Sequence, residues 1–306
     1  MIRQKILMDS DPGHDDAIAL LLASFSEKVE LIGVTTCSGN QTIEKTSQNA
    51  LNLLNYFSRY DVPIAKGSPT PMIRETRTCA EIHGESGLDG FTFPKYEDRY
   101  EDKSACDFLI EKILANKEVI VITTGPMTNL GLAIKKNRSI LNNIKEIIFM
   151  GGSTGEGNIT KEAEFNILVD PEAADICMTS GVPLRMLGLN VTRKILVTNE
   201  IMNKASQIKT KGGELFVKLM EVFNKNQHDF FGLEAGPLHD PATLVALLNP
   251  DAFKWKKMNV SVDTSFTERA GKTVCENKEP KNVMVAVDVD LNKYWEEIYK
   301  HLEKCI

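Results

Sequence analysis

The segment Asp9-Ser10-Asp11-Pro12-Gly13-His14-Asp15-Asp16 carries four carboxylates and lies between two apolar runs. Lys5-Ile6-Leu7-Met8, before it, is short enough for a buried strand, and Ala17 to Ala23, after it, consists of helix formers. The implied geometry is strand, acidic turn, helix. Two like charges ~4 Å apart repel by roughly 4 kcal/mol at an effective dielectric of about 20, so carboxylates converging at a strand end need compensation. A helix N-terminus offers some, but one Asp is enough to cap a helix. The excess points to a hard divalent cation, for which carboxylate oxygens are the preferred ligands.

Downstream, apolar and β-branched runs alternate with helical stretches. Val29 to Thr36 reads as a strand, residues 43–60 as a helix, and Val62 to Ala65 as a short strand. Residues 105–116 read as a helix, 119–123 as a strand, 129–135 as a helix and 146–150 as a strand. Asp170-Pro171 opens a helix that ends by Gly181, before a strand over 183–189. Residues 200–231 look helical, 255–262 and 282–289 look like late strands, and 294–304 is a closing helix. This alternation predicts an α/β fold, a mostly parallel sheet flanked by helices, with ligands bound at the C-terminal ends of the strands. Those edges are Asp9 to Asp16, Ser38-Gly39-Asn40, Thr124-Gly125-Pro126, Gly151-Gly152 and Asn190, and they concentrate glycines and oxygen-bearing side chains. Residues 67–103 are long, charged and aperiodic, which suits a mobile loop over an active site. No repeat, low-complexity tract or linker divides the chain, so residues 1–306 are expected to form one domain.

The 306 residues have a formal net charge of −6, which argues against a nucleic-acid surface and favours small-molecule chemistry. No apolar stretch is long enough to span a bilayer, and the first residues lack a signal-peptide core, so a cytoplasmic protein is expected. The six cysteines are scattered with no C-x-x-C pair and are expected to be reduced thiols. The glycosylation-like triplets at Asn40 and Asn158 then have no role as such.

Several familiar motifs fail. An EF-hand loop begun at Asp9 would need its bidentate Glu where Leu20 stands. Gly271-Lys272-Thr273 lacks the upstream P-loop glycine, a position held by Phe266. An Asp-x-Asp after a strand also fits a haloacid-dehalogenase-like, Mg²⁺-dependent phosphohydrolase with Asp9 as nucleophile. Further motifs weigh against that alternative: His239-Asp240-Pro241 opening a helix, Ala163-Glu164-Phe165-Asn166, His83 to Gly90, and Thr124 to Leu130. With the Asp9–Ala17 signature, this set resembles the inosine-uridine-preferring nucleoside hydrolase family essentially end to end. In that family Thr or Cys often replaces Ser10, a swap expected to leave the metal ligands untouched.

The resemblance implies that Asp11, Asp16, Asp240 and the Thr124 backbone carbonyl bind one Ca²⁺, with Asp11 also the general base for the attacking water. It implies that Asp15, Asn40, Asn158, Glu164 and Asn166 hold the ribose hydroxyls, while Met150 and Phe165 line the sugar pocket. At the base end it implies catalytic roles for His83 and His239, with Gln227 a further contact. His14 and His228 are read as surface or satisfied residues. The two tryptophans, Trp255 and Trp295, fall outside every site motif, which favours the pyrimidine-preferring or broad-specificity branch; Phe231 could supply an aromatic edge. A homotetramer or dimer acting in nucleoside salvage or catabolism is implied likewise. A calcium-dependent nucleoside binder without catalysis is a third reading.

Overall fold

A computed structural model describes residues 3–306. The first half contains β1 (Gln4–Ser10), α1 (His14–Phe25), β2 (Val29–Thr36), α2 (Ile43–Tyr56), β3 (Ile64–Ala65), α3 (Ala80–His83), α4 (Ala105–Ala115), β4 (Val119–Thr123), α5 (Thr128–Lys136) and β5 (Ile144–Met150). There follow α6 (Phe165–Val169), α7 (Pro171–Met178), β6 (Leu184–Leu187), α8 (Leu189–Thr192), α9 (Asn199–Ser206), α10 (Lys211–Phe231) and α11 (Pro241–Leu248). The chain closes with β7 (Phe253–Val262), β8 (Thr273–Glu276), β9 (Val283–Val289) and α12 (Leu291–Lys304).

The strands form one sheet in the order β3-β2-β1-β4-β5-β6-β9-β7-β8. Pairing is parallel from β3 through β9, and β7 and β8 add an antiparallel edge. Strand side chains alternate between the two faces. Ile6, Met8, Ile120, Ile122 and Ile148 pack with α1, α2, α10, α11 and α12. Leu7, Val119, Val121, Ile147 and Phe149 pack with α4, α5 and α7 on the other face. By this parity Ser10 shares the α1 face with Met8, whereas Asp9 shares the α5 face with Leu7. No helix among the described residues is long and apolar enough to cross a membrane.

After β1 the chain builds β2 and β3 to one side, then returns to place β4 on the other side of β1. The loops leaving β1 and β4 therefore diverge and open a crevice at the strands' carboxyl ends. Two helices are anchored beneath it. Every residue of α11 is buried, as is all of α1 except Phe25, so both are central core helices rather than amphipathic surface ones.

The structure refines several expected boundaries. The helix expected to reach residue 60 stops at Tyr56, because Ser58 takes a left-handed φ of 58°. The helix expected over 200–231 is two, since Thr210 accepts from Gly213 N and starts α10 afresh. Leu189, expected to close a strand, instead begins the helical turn α8. The strand β8 and the short helices α3, α6 and α8 carry too few residues to show a period and were not expected. Residues 67–103 contain only α3, and the turn after it is tied down: Gln41 Nε2 donates to the Gly84 and Glu85 carbonyls, and Asn49 Nδ2 to those of Pro12 and Ser86.

Leu21 is fully buried in α1 between the sheet and the other helices. Leu21→Ala is expected to destabilise the fold by about 2–5 kcal/mol, read as a lower urea midpoint; an unchanged midpoint would contradict the central position of α1.

Candidate active site

The crevice widens into a cavity of about 750 Å³. At its buried end, carboxylate oxygens of Asp15, Asp16 and Asp240 lie within 4.8 Å of one another. Asp15 and Asp16 occupy the first turn of α1 and Asp240 is the N-cap of α11, so two helix N-termini direct their dipoles at the cluster. Asp16 is fixed from four sides. Its Oδ1 accepts from Ser10 Oγ (2.8 Å) and Thr124 Oγ1 (2.7 Å), and its Oδ2 from Asn40 Nδ2 (2.8 Å) and Gly13 N (3.0 Å). Ser10 therefore touches a carboxylate expected to hold metal, a bond that a threonine hydroxyl could also make.

Asp11 lies beside the cluster, between two loop glycines. A Cβ on Gly39 would stand 2.1 Å from Asp11 Oδ2, and one on Gly125 would stand 2.3 Å from Asp11 Oδ1. Asp11 Oδ2 accepts from Asn40 N at 2.7 Å, while Asp11 Oδ1 is buried without a partner, as is Asp15 Oδ1. Among the described residues, no lysine or arginine forms an ion pair with Asp11, Asp15, Asp16 or Asp240. Burial, reinforced by the Asp16 charge, holds the Asp11 carboxyl well above its usual range, and burial with the Asp15 and Asp16 charges does the same to Asp240. Asp15 is pushed up to about 7, again chiefly by burial and then by Asp16. Hard oxygen donors, two orphaned carboxylate oxygens and no ion-paired lysine or arginine are the conditions that a divalent metal ion satisfies.

All seven residues expected around the sugar, namely Asp15, Asn40, Met150, Asn158, Glu164, Phe165 and Asn166, line the cavity, as do Thr124 and Asp240. Glu164 accepts from the backbone N–H groups of Gly152, Asn166 and Ile167. Asn158 Oδ1 accepts from Phe165 N at 2.9 Å, and Asn166 Nδ2 donates to the Thr124 carbonyl at 2.8 Å. Among the described residues these bonds leave Asn158 Nδ2 and Asn166 Oδ1 without protein partners, one donor and one acceptor for a ligand.

His83, His239 and Gln227 also line the cavity. His83 Nδ1 accepts from His14 N at 3.2 Å, and its ring stacks on His14 at 5.6 Å and approaches Phe223 at 5.9 Å. His239 Nδ1 lies 2.7 Å from Thr192 Oγ1. Burial holds His83 far below its usual range, with the His14 and His239 charges adding to the effect; burial, with help from Arg193, pushes His239 down to about 3. Both rings are thus neutral near pH 7. His14 is fully buried, with Nε2 2.8 Å from the Asp89 carbonyl and Nδ1 unpartnered, so it is only half satisfied; His228 is exposed. Phe231 lies at the cavity wall, whereas Trp255 and Trp295 do not line it.

Asp9, the nucleophile of the phosphohydrolase alternative, faces α5. Its Oδ1 accepts from Thr35 Oγ1 (2.7 Å) and Asn129 Nδ2 (2.8 Å), and it is closed off from the cavity. The sequence did not single out Gly39, Gly125, Thr192 or Phe223 as site residues. Only the two glycines carried a signal, as parts of strand-end loops; their specific role, clearance for Asp11, depends on loops that meet only in the fold. The six cysteines are free thiols, as expected.

The sequence profile described as inosine-uridine preferring nucleoside hydrolase matches residues 6–296. The pyrimidine-specific ribonucleoside hydrolase RihB of Shigella flexneri is 37% identical over 300 residues, covering 96% of each chain. The enzyme of the same name from Escherichia coli O17:K52:H18 is 38% identical over the same span, 96% of each chain. Among solved structures, the plant nucleoside hydrolase PpNRh1 superimposes with a TM-score of 0.93 at 30% identity, covering 99% of each chain. The purine-preferring ribonucleoside hydrolase from Gardnerella vaginalis does so with a TM-score of 0.90 at 31% identity, covering 98% of this chain and 99% of that one.

The close fit around Asp11 predicts that Gly125→Ala displaces its carboxylate and lowers catalytic turnover at least roughly hundredfold, with the far-ultraviolet dichroism unchanged; turnover near that of the parent would show that Asp11 tolerates the shift. Burial also lifts Glu164 from 4.5 to about 7. An acid whose folded pKa is raised holds its proton in the fold after the unfolded chain has lost it. Its stability contribution is therefore complete below the unfolded value and is lost as pH rises through about 7. In chelator, the melting temperature of the parent should fall relative to that of Glu164→Gln between about pH 5 and 8; parallel curves would refute the shift.

Proposed function

The chain belongs to the inosine-uridine preferring nucleoside hydrolase family, and on that premise we propose a Ca²⁺-dependent, pyrimidine-preferring enzyme that splits ribonucleosides into ribose and free base, with inosine a secondary substrate. It is a nucleoside N-glycosidase. The observation that carries the reading is one cavity lined by unpaired carboxylates, by the polar side chains of Asn40, Asn158, Glu164 and Asn166, and by two neutral histidines.

In this reading Asp11, Asp16, Asp240 and the Thr124 carbonyl hold the cation, and mixed carboxylate and carbonyl oxygens suit Ca²⁺ better than Mg²⁺. When bound, the ion supplies positive charge that lets the carboxylates ionise and a nearby water acidify. Asp11 Oδ1, buried and free of other partners, accepts the proton of the water that attacks the anomeric carbon. Asp15, Asn40, Asn158, Glu164 and Asn166 bind the ribose hydroxyls, and Met150 and Phe165 pack against the sugar. Strict gripping of the sugar lets binding energy favour an oxocarbenium-like transition state. His83 and His239 assist departure of the base, with Gln227 reading its edge.

Pyrimidine preference is supported by the names of the curated relatives and by the absence of tryptophan from the cavity lining. The phosphohydrolase reading is disfavoured by the placement of Asp9 on the α5 face, where Thr35 and Asn129 hold its Oδ1. We further propose that residues 1–306 act as one domain, in a cytoplasmic homotetramer or dimer serving nucleoside salvage or catabolism, with a small-molecule substrate rather than nucleic acid or membrane.

Ribose release from uridine, cytidine, inosine and adenosine, with and without exhaustive chelation, tests the reaction. Pyrimidine nucleosides should lead and chelation should abolish release; a purine lead would overturn the preference, and full activity in chelator the metal dependence. Asp11→Asn should lower kcat on uridine by at least roughly a hundredfold while binding is only weakened, and retained activity would remove Asp11 as the base. Deoxyuridine should be turned over far more slowly than uridine, since a gripped hydroxyl is missing; equal rates would refute the assigned ribose contacts.

A further inference from the structure

We propose that Thr192 is a positioning residue for departure of the base, its hydroxyl donating to His239 Nδ1 and so holding that ring with the Nε2 hydrogen toward the cavity. Thr192 ends α8, is fully buried, and has its Oγ1 2.7 Å from His239 Nδ1. Among the described residues its hydroxyl has no other partner. If Nδ1 carried the proton, the threonine would have to accept, and its own hydrogen would be buried with no acceptor; donation to Nδ1 avoids that penalty. His239 Nε2, with no protein partner, then presents N–H to the cavity that the ring lines.

His83 arrives at the same state by an independent route. Its Nδ1 accepts from the His14 backbone N–H, a group that can only donate, so the proton of the neutral ring resides on Nε2. The base end therefore presents two fixed N–H donors. A pyrimidine leaving with its bonding electron pair spreads negative charge over N1 and its exocyclic oxygens, which are acceptors for such donors. Only the lock on His239 is made by a side chain, which makes it open to substitution. This assignment rests on the nucleoside hydrolase reading.

The test compares Thr192→Val and Thr192→Ser with the parent on uridine and on 4-nitrophenyl β-ribofuranoside, whose nitrophenolate departs without a donor. Thr192→Val should lose roughly tenfold or more in kcat on uridine and keep the aryl riboside rate within about twofold, with Thr192→Ser restoring uridine turnover. Nitrogen-15 spectra of labelled histidine should show His239 Nδ1 unprotonated in the parent. Equal losses on both substrates, no loss on uridine, or a protonated Nδ1 would each overturn the proposal. A parent protein that released no ribose from any nucleoside would instead defeat the hydrolase reading, and the nitrogen spectrum would still decide the tautomer.

Discussion

Asp11, Asp15, Asp16 and Asp240 are buried where β1 and β4 part, and among the described residues none of them has a lysine or arginine to pair with. Ordinary folding would not tolerate this arrangement, because each ionised carboxylate loses its hydration and repels the others. The surrounding architecture can be understood as the means of holding it. Two apolar helices, α1 and α11, are driven into the core by their own burial and bring their positive ends to the same point. Ser10, Gly13, Asn40 and Thr124 then direct donors at Asp16, so this carboxylate stays in one place whatever its neighbours do.

The histidines of the cavity obey a different rule. Burial there acts on bases, holding His83 and His239 neutral, and each ring keeps its Nδ1 occupied by a neighbour. One cavity thus combines carboxylates suited to positive charge with rings that offer neutral donors. The combination suits scission of a bond between a sugar, which gains positive character, and a base, which gains negative character.

Much of this was legible in the sequence because its signals are local. The acidic octapeptide between two apolar runs gave β1, the turn and α1, and the run Val119 to Thr123 gave a strand buried on both faces. The named cavity residues followed from the family resemblance that the spaced motifs carry. Three kinds of information remained out of reach. Short elements such as α8 and β8 have no period to detect. The side to which Asp9 points depends on strand parity within an assembled sheet, although it separates a closed structural carboxylate from a nucleophile. The clearance given to Asp11 by Gly39 and Gly125 needs two loops, far apart in sequence, to approach within contact distance.

The stability of the fold and the chemistry of the site are consequently coupled through the same atoms. The cluster raises the free energy of the ion-free fold as pH rises, since Asp15, with a pKa near 7, loses the proton that relieves repulsion. Any ion bound only by the folded chain lowers that free energy by mass action. The helices α1 and α11 must therefore be apolar enough to hold the unrelieved cluster together until an ion arrives. That requirement explains why the two helices bearing the most charged N-termini of the site are also the two most completely buried. A polar, surface-type helix in either place would lower the burial that opposes carboxylate repulsion, and the site would open before it could bind.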